Sequence, residues 1–225
     1  MMNLVNPWTA IPDRAPFVLA EDRPFVDAYN SLLDKDDKKA GYRINTDYTP
    51  EPRLGPIDAP VLILQANPSY APGAEQGREA ISRELRSVRD PLHPHLGAQQ
   101  EATWWPQVLK QLIKATSAEQ VARGICSVEF FPYRSLGFGH GHIRLPSQQY
   151  TFDLVRRALS MERIIIVTRR AHTWFGAIPE LAQLGPGHKA RVFHTRNPQR
   201  TFISPGNLPE GAFDQVVAAI RQVGA

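Results

Sequence analysis

Short apolar runs of strand length alternate with helical segments four times between Ala59 and Val223. Such alternation is typical of parallel strands joined by right-handed crossovers, with helices on both faces of the sheet. It predicts an α/β protein, a three-layer α/β/α domain around a short four-stranded parallel sheet in which the first strand is central. The four strands are expected near residues 61–66, 125–130, 163–168 and 190–195.

Helical periodicity and capping residues indicate where the helices lie. Pro106 fits a helix only in its first turn, and Ser147 is typical of an N-cap residue. The segment HTWFGAIPELAQL predicts a broken helix. The helices are expected at 25–33, 77–89, 103–115, 147–160, 172–184 and 211–223.

Residues 1–58 lack this alternation, and we interpret them as an N-terminal extension that packs on a domain formed by residues 59–225. The extension holds seven Lys and Arg against ten Asp and Glu, whereas the domain holds 19 against 12. The basic excess of the domain favours an anionic partner such as DNA or a nucleotide. A solvated surface that serves solubility alone explains the same excess equally well.

Cys126 is the single cysteine, so the chain can form no intrachain disulfide and can ligate no iron–sulfur cluster by itself. The sequence begins without a signal-peptide pattern, and no apolar run approaches the roughly 20 residues of a membrane span. We therefore expect a cytoplasmic protein with no membrane partner, and a monomer.

Two histidine pairs, His93-Pro-His95 and His140-Gly-His142, are spaced as metal ligands can be. Neither pair has a cysteine nearby or the i, i+4 spacing of helical ligands. We expect neither a metal site nor a cofactor. The loop GFGHGH that contains the second pair is expected near the site.

Ligands of open parallel sheets bind outside the carboxyl ends of the strands. The four predicted strand ends therefore indicate the candidate site. They comprise Asn67–Tyr70, Glu129–Ser135, Thr168–Arg170 and His194–Arg200.

Four motifs lie at these strand ends: LILQANPSYAPG, SVEFFPYRS, the apolar strand IIIVT and VFHTRNPQRTFISPGNL. With these motifs the sequence resembles the uracil-DNA glycosylase superfamily, over about residues 55–223. The resemblance implies the fold of that superfamily and cleavage of an N-glycosidic bond. Such a site positions a water, stabilises the departing base and holds a base that has been flipped out of the helix.

The resemblance also implies catalytic roles. Asn67 matches the residue that positions water, and Asn197 or His194 would stabilise the leaving base. The loop at 204–207, SPGN, is the alternative match for the fourth motif. Asn67 also suits a simple Asn-Pro turn, and His194 suits plain packing. Glu129 stands where the superfamily often has a base-reading Asn; an ionised carboxylate only accepts hydrogen bonds, which favours a base with an exocyclic amine. Glu129 facing solvent, or paired with Arg134, is the alternative.

The remaining candidates would bind the substrate. Pro68 and Ser69 belong to the first loop, and three aromatic rings are candidates for stacking on a base. Five arginines at strand ends are candidates for phosphate contacts. The aromatic residues are Tyr70, Phe131 and Tyr133, and the arginines are Arg134, Arg169, Arg170, Arg196 and Arg200.

These expectations define the predicted function as a DNA glycosylase-like hydrolase that removes a damaged or deaminated base. A catalytically weak or silent module of the same fold, which binds a nucleotide or nucleic acid, is the main alternative. A third reading is an unrelated doubly wound domain that acts on a small phosphorylated molecule.

Overall fold

A computed structural model describes residues 4–34, 37–70, 104–183 and 192–223. The chain divides into two compact units. The first comprises Met1–Arg53, Ala66–Asp90 and Glu129–Asp153, and the second comprises Leu54–Gln65, Pro91–Val128 and Leu154–Ala225. The division of the chain at residue 58 stays a prediction.

A five-stranded sheet has the order β1-β3-β2-β4-β5. Its strands are β1 Arg53–Leu54, β2 Val61–Gln65, β3 Ile125–Glu129, β4 Ile164–Val167 and β5 Val192–His194. The α/β class and the central place of β2 are confirmed. The prediction of four strands is wrong, because β1 adds a fifth; with two residues, it is too short to show an alternating pattern.

The strands β2, β4 and β5 pair in parallel. β2 pairs with β4 from Val61 opposite Ile164 to Leu64 opposite Val167, and β4 pairs with β5 up to Val167 opposite His194. Every residue of β2 and β4 is buried. This burial explains why their sequences are apolar, apart from Gln65 at the end of β2, rather than alternating.

Eight α-helices lie in the described ranges, and none of them is long and apolar enough to cross a membrane. Two short 3-10 helices, Pro7–Ala10 and Asp37–Tyr42, accompany them. The predicted helix at 77–89 lies outside the described residues. The helices are α1 Arg23–Leu33, α2 Trp104–Val108, α3 Lys110–Ala115, α4 Ala118–Gly124, α5 Gln148–Ser160, α6 Ala171–Ala177, α7 Pro179–Ala182 and α8 Ala212–Arg221.

The helix ends confirm some local predictions and correct others. Pro106 lies in the first turn of α2, and the break between α6 and α7 precedes Pro179. The N-cap prediction for Ser147 is wrong, because its buried hydroxyl has no hydrogen-bond partner within the described structure. Gln148 instead uses its side-chain oxygen to accept from the backbone N–H of Leu145, at 2.8 Å.

The second unit has an apolar core formed by the sheet and its helices. Val61, Ile63 and Ile166 lie in it together with α8, whose Val216 and Ile220 are fully buried. Apolar burial of this kind contributes about 25 cal/mol per Å² removed from water, so the core fixes the strands that carry the candidate site.

A buried polar network joins three segments of the first unit. The Tyr133 hydroxyl donates to Asp22 Oδ2 at 2.7 Å and accepts from the Leu19 backbone N–H at 3.1 Å. The other Asp22 oxygen accepts from the Ser147 backbone N–H at 3.1 Å. Burial and the neighbouring Asp22 carboxylate raise the pKa of Tyr133 far above its usual value, so the phenol keeps its proton.

We expect Tyr133→Phe to lower the free energy of unfolding by about 1–3 kcal/mol, because it leaves a buried carboxylate oxygen and a buried N–H without a partner. Urea denaturation measures the change. Tyr42→Phe is the matched control, since its hydroxyl lies on an exposed side chain; it should change stability by less than about 0.5 kcal/mol. Equal stability of the two variants would contradict the role of the network.

Candidate functional site

Asn67 follows the buried carboxyl end of β2 and is half-buried. Its side-chain Nδ2 lies 2.9 Å from Ser135 Oγ, 3.0 Å from the Ser135 carbonyl oxygen and 3.1 Å from the Pro68 carbonyl oxygen. Carbonyl oxygens only accept, so these contacts fix which end of the amide is nitrogen. The amide oxygen Oδ1 accepts no hydrogen bond from the part of the chain that the structure describes. Asn67 thus presents an oriented acceptor.

The loop after β3 lies along the loop after β2 and holds Asn67 in place. The backbone N–H of Phe131 donates to the Ala66 carbonyl at 2.9 Å, and that of Ser135 donates to the Pro68 carbonyl at 3.2 Å. The Ser135 hydroxyl in turn donates to the Gly137 carbonyl at 2.8 Å. Ser135 is fully buried, so it is a rigid partner for the Asn67 amide.

Arg134 fastens the same two loops to the N-terminal segment. Its guanidinium donates to the Thr49 carbonyl at 2.8 Å and to the Ser69 carbonyl at 2.7 Å, and it pairs with Glu51 at 3.1 Å. The Arg134 side chain is 13% exposed. Its hydrogen-bonding capacity is therefore largely used within the protein, and the phosphate contact predicted for it stays a prediction.

Tyr70 stacks on Tyr48, with ring centroids 4.8 Å apart and an angle of 28° between the planes. Both side chains are half-buried. Offset stacking of this kind leaves the outer face of a ring suited to another planar group. Pro68 is buried and Ser69 exposed, so the loop presents Ser69 and Tyr70 next to Asn67.

The other first-unit candidates lie deeper. Glu129 is 5% exposed, and its backbone N–H donates to the Pro52 carbonyl at 3.0 Å. The alternative in which Glu129 faces solvent is therefore wrong. Phe131 and Tyr133 are fully buried. A stacking contact with a base stays a prediction for these two rings, and it requires the loop to open.

His140, in the glycine-rich loop after β3, is fully buried against aromatic rings. Its ring centroid lies 4.0 Å from that of Phe131, 4.9 Å from that of Phe138 and 5.7 Å from that of Tyr29. Neither ring nitrogen has a hydrogen-bond partner within the described ranges. Burial, together with the neighbouring His142, lowers the pKa of His140 to about 3.

The second group of candidates lies in the second unit, at the carboxyl ends of β4 and β5. Arg169, Arg196 and Asn197 are exposed. His194 packs edge-on against Phe175, with ring centroids 5.2 Å apart, and partial burial lowers its pKa. Arg170 and Arg200 are exposed as well. The predicted candidates thus form one group in each unit.

Asn207 organises the loop that follows β5. Its side-chain Nδ2 donates to the carbonyls of Arg200 and Phe202 at 2.6 and 2.9 Å. Its Oδ1 accepts from the Asn197 backbone N–H at 3.0 Å, and its carbonyl accepts from the Arg196 backbone N–H at 2.8 Å. The Asn197 side chain closes a local turn by accepting from the Gln199 backbone N–H at 2.9 Å. The Asn197 side chain therefore stabilises this turn.

Three residues with clear roles were not among the predicted site residues: Ser135, Tyr48 and Asn207. Ser135 ended one predicted segment, but no sequence pattern marks it as the partner of Asn67. Tyr48 lies 22 positions before Tyr70 in an irregular segment, so periodicity gives no signal for it. Asn207 belongs to an Asn- and Pro-containing loop, and such composition predicts a turn without predicting its contacts.

Comparisons with protein-family models, with curated proteins and with solved structures found no match to this chain. The resemblance to the uracil-DNA glycosylase superfamily thus rests on the sequence motifs. Within the described ranges, no group of three or more His, Cys, Asp or Glu side chains is arranged to hold a metal ion.

The burial of His140 predicts a pH dependence of stability. Because its folded pKa of about 3 lies below the ordinary 6.5, the stability from keeping the ring neutral is complete above about pH 6.5 and is lost as the pH falls towards 3. The loss is about 1.4 kcal/mol per pH unit within that window.

Urea denaturation at several pH values measures this slope, and carboxylates add to it in every variant. His140→Phe should therefore lose stability less steeply than the wild type between about pH 6 and pH 4, where the unfolded chain takes up the proton. His172→Phe, at an exposed position, is the matched control. An unchanged slope in His140→Phe would refute the buried neutral state.

Proposed function

We propose that the protein is a DNA glycosylase-like hydrolase whose reactive water is oriented by Asn67. The observation that carries this proposal is the fixed amide of Asn67, in which Ser135 holds the nitrogen and the oxygen accepts no hydrogen bond from the described residues. The motif resemblance, which places a water-positioning residue at this strand end, supports the same assignment. The superfamily's fold, including its three-layer arrangement, is part of the proposal.

The chemistry follows from the groups at this position. A water bound to Asn67 Oδ1 attacks the sugar carbon as the bond to the base breaks, and the base leaves with the bonding electrons. An amide does not take up a proton at neutral pH, so the water's proton passes to the departing base or to solvent. Asn67 contributes orientation, which accounts for several kcal/mol of the barrier in comparable reactions.

Base recognition is assigned to the half-buried Tyr70 and the exposed Ser69 of the same loop. Tyr70, supported from behind by Tyr48, offers a ring face on which an extruded base would stack. Ser69 and Pro68 continue the loop beside it. His194 or Asn197, which belong to the second unit, would stabilise the leaving base. Glu129 would read an exocyclic amine of the base.

A catalytically silent module that binds a nucleotide or nucleic acid is the second candidate, and the burial of Glu129 favours it. Between Ala66 and Tyr70 and between Glu129 and Ser135, Glu129 is the only carboxylate. It is 5% exposed, so these two loops offer no carboxylate in water that could act as a base. Binding without cleavage needs only the loop and the stacking surface.

Substitutions of Asn67 test the enzymatic proposal directly. Asn67→Ala should lower base excision roughly a hundred- to a thousandfold, the effect of removing one positioned polar group in comparable sites. Asn67→Asp should raise turnover or broaden the set of excised bases, because a carboxylate can accept a proton and offset positive charge on the sugar. The assay counts abasic sites in oligonucleotides that carry uracil, hypoxanthine, xanthine or an oxidised base.

Binding of the same oligonucleotides is the control, and it should change little in either variant. If the wild type and Asn67→Asp excise none of these bases while binding persists, the protein is a catalytically silent binding module and the enzymatic proposal is wrong. Full activity of Asn67→Ala would show that the catalytic assignment is wrong, and Glu129 would be the next residue to test.

Ser135→Ala tests the positioning of Asn67 separately from its chemistry. Loss of the hydroxyl removes the 2.9 Å contact to Nδ2 and leaves the amide held only by the Ser135 and Pro68 carbonyl oxygens, so its position is less well fixed. We expect kcat to fall about tenfold, or 1.4 kcal/mol, with KM little changed. Ser160→Ala is the matched control, because Ser160 is exposed and its hydroxyl also donates to a backbone carbonyl, that of Arg157. A fall in stability alone, with kcat intact, would limit Ser135 to a structural role.

A further inference from the structure

The carboxyl ends of β4 and β5 place two arginines side by side. The strands are parallel and in register up to Val167 opposite His194. Pairing continues beyond the strands, since the Thr195 backbone N–H donates to the Val167 carbonyl at 3.2 Å and the Thr195 hydroxyl donates to the Thr168 carbonyl at 3.0 Å. Arg169 and Arg196 follow Thr168 and Thr195, just beyond the ends of β4 and β5. Neighbouring strands lie about 4.8 Å apart, so the two residues are adjacent at one edge.

The charges at this edge are not neutralised within the described structure. Arg169, Arg196 and Arg200 are exposed, and none of their guanidinium groups has a hydrogen bond or an ion pair with a described residue. From Ile164 to Pro209 the sequence holds six Lys and Arg and one acidic residue, Glu180. Glu180 is already paired with Arg156 at 3.1 Å.

The backbone that carries these arginines is fixed. Asn207 binds the backbone N–H of Asn197 and the carbonyl of Arg200, and its own carbonyl accepts from the N–H of Arg196. Arg170, next to Arg169, adopts a left-handed backbone conformation with φ of 53°, which turns the chain from β4 into α6. Because this backbone is already held in place, only the side chains have to become ordered when a partner binds.

We propose that Arg169, Arg196 and Arg200 form an edge that binds consecutive phosphodiester groups of a single nucleic-acid strand. The phosphates contact the guanidinium groups without sequence preference and set the position of the strand. The proposal shares the DNA ligand of the proposed function but not its chemistry. It is tested by binding alone, so a failure of Asn67 in catalysis leaves it standing.

The arrangement favours a strand over a small phosphorylated molecule. Small-molecule sites are concave and enclose most of their ligand. Here the three arginines are exposed and follow one another along the strand ends and the next loop, as a chain of phosphates requires. Binding to such an array releases counterions, so it weakens steeply as the salt concentration rises.

Fluorescence anisotropy with a labelled single-stranded oligonucleotide tests the edge across a salt titration. The double variant Arg169→Ala/Arg196→Ala should bind more weakly than the wild type. The slope of log K against log salt should become shallower by about 1.4, since each phosphate contact on a single strand contributes about 0.7. Arg169→Lys/Arg196→Lys keeps both charges and should keep the slope.

Arg123→Ala is the matched control, because Arg123 is an exposed arginine that is already paired with Glu119 at 2.7 Å. It should leave both the affinity and the slope unchanged. An unaltered slope in the double alanine variant, or no salt-dependent binding by the wild type, would overturn the proposal. Inorganic phosphate that competes as well as the oligonucleotide, at equal phosphate concentration, would overturn it in favour of a small ligand.

Discussion

The carboxyl end of β2 is buried, and its polar groups have to be satisfied by the segments around it. The Leu64 carbonyl accepts from the Thr168 hydroxyl at 2.8 Å, and the Gln65 carbonyl accepts from the Trp174 indole N–H at 2.8 Å. A buried group without such a partner costs about 1–3 kcal/mol. These bonds therefore join β2 to the end of β4 and to α6. They fix the point at which the chain leaves β4 and enters the helix.

The Thr168 hydroxyl has two possible acceptors but only one proton. Its hydroxyl lies within hydrogen-bond distance of Gln65 Oε1, at 3.0 Å, as well as of the Leu64 carbonyl. A threonine hydroxyl has a single proton to donate, and Gln65 Nε2 has no partner among the described residues. The two observations are reconciled when the Gln65 amide is turned over, because its nitrogen then donates to Thr168 Oγ1 while Thr168 donates to Leu64.

The sequence predicts the elements better than it predicts their contacts. The buried strands β2 and β4 are apolar except for Gln65 at the end of β2, and the broken pattern around Pro179 predicts two helices, so the sequence pattern locates them. The predicted site residues lie at or follow the ends of β2, β3, β4 and β5, where open parallel sheets usually bind their ligands. Pairing of Arg134 with Glu51, by contrast, joins residues far apart in the chain, and no periodic pattern contains that information.

The sequence also fails to predict which side chains are buried at the candidate site. Phe131 and Tyr133 follow a strand and are flanked by proline and arginine, which is typical of a surface loop. Both are nevertheless fully buried. The N-terminal segment supplies Leu19 and Asp22 as hydrogen-bond partners for Tyr133, and Phe131 packs against the ring of His140. Only the folded chain brings that segment to the loop.

Because aromatic rings enclose His140, chemical modification of its imidazole reports on local opening of the loop. Reagents that modify imidazole need a nitrogen lone pair in contact with water, and both nitrogens of this ring are shielded by Phe131, Phe138 and Tyr29. Modification can proceed only from states in which the loop has opened. The rate for His140, divided by that for an exposed imidazole such as His172, therefore measures the free energy of local opening beside the candidate site.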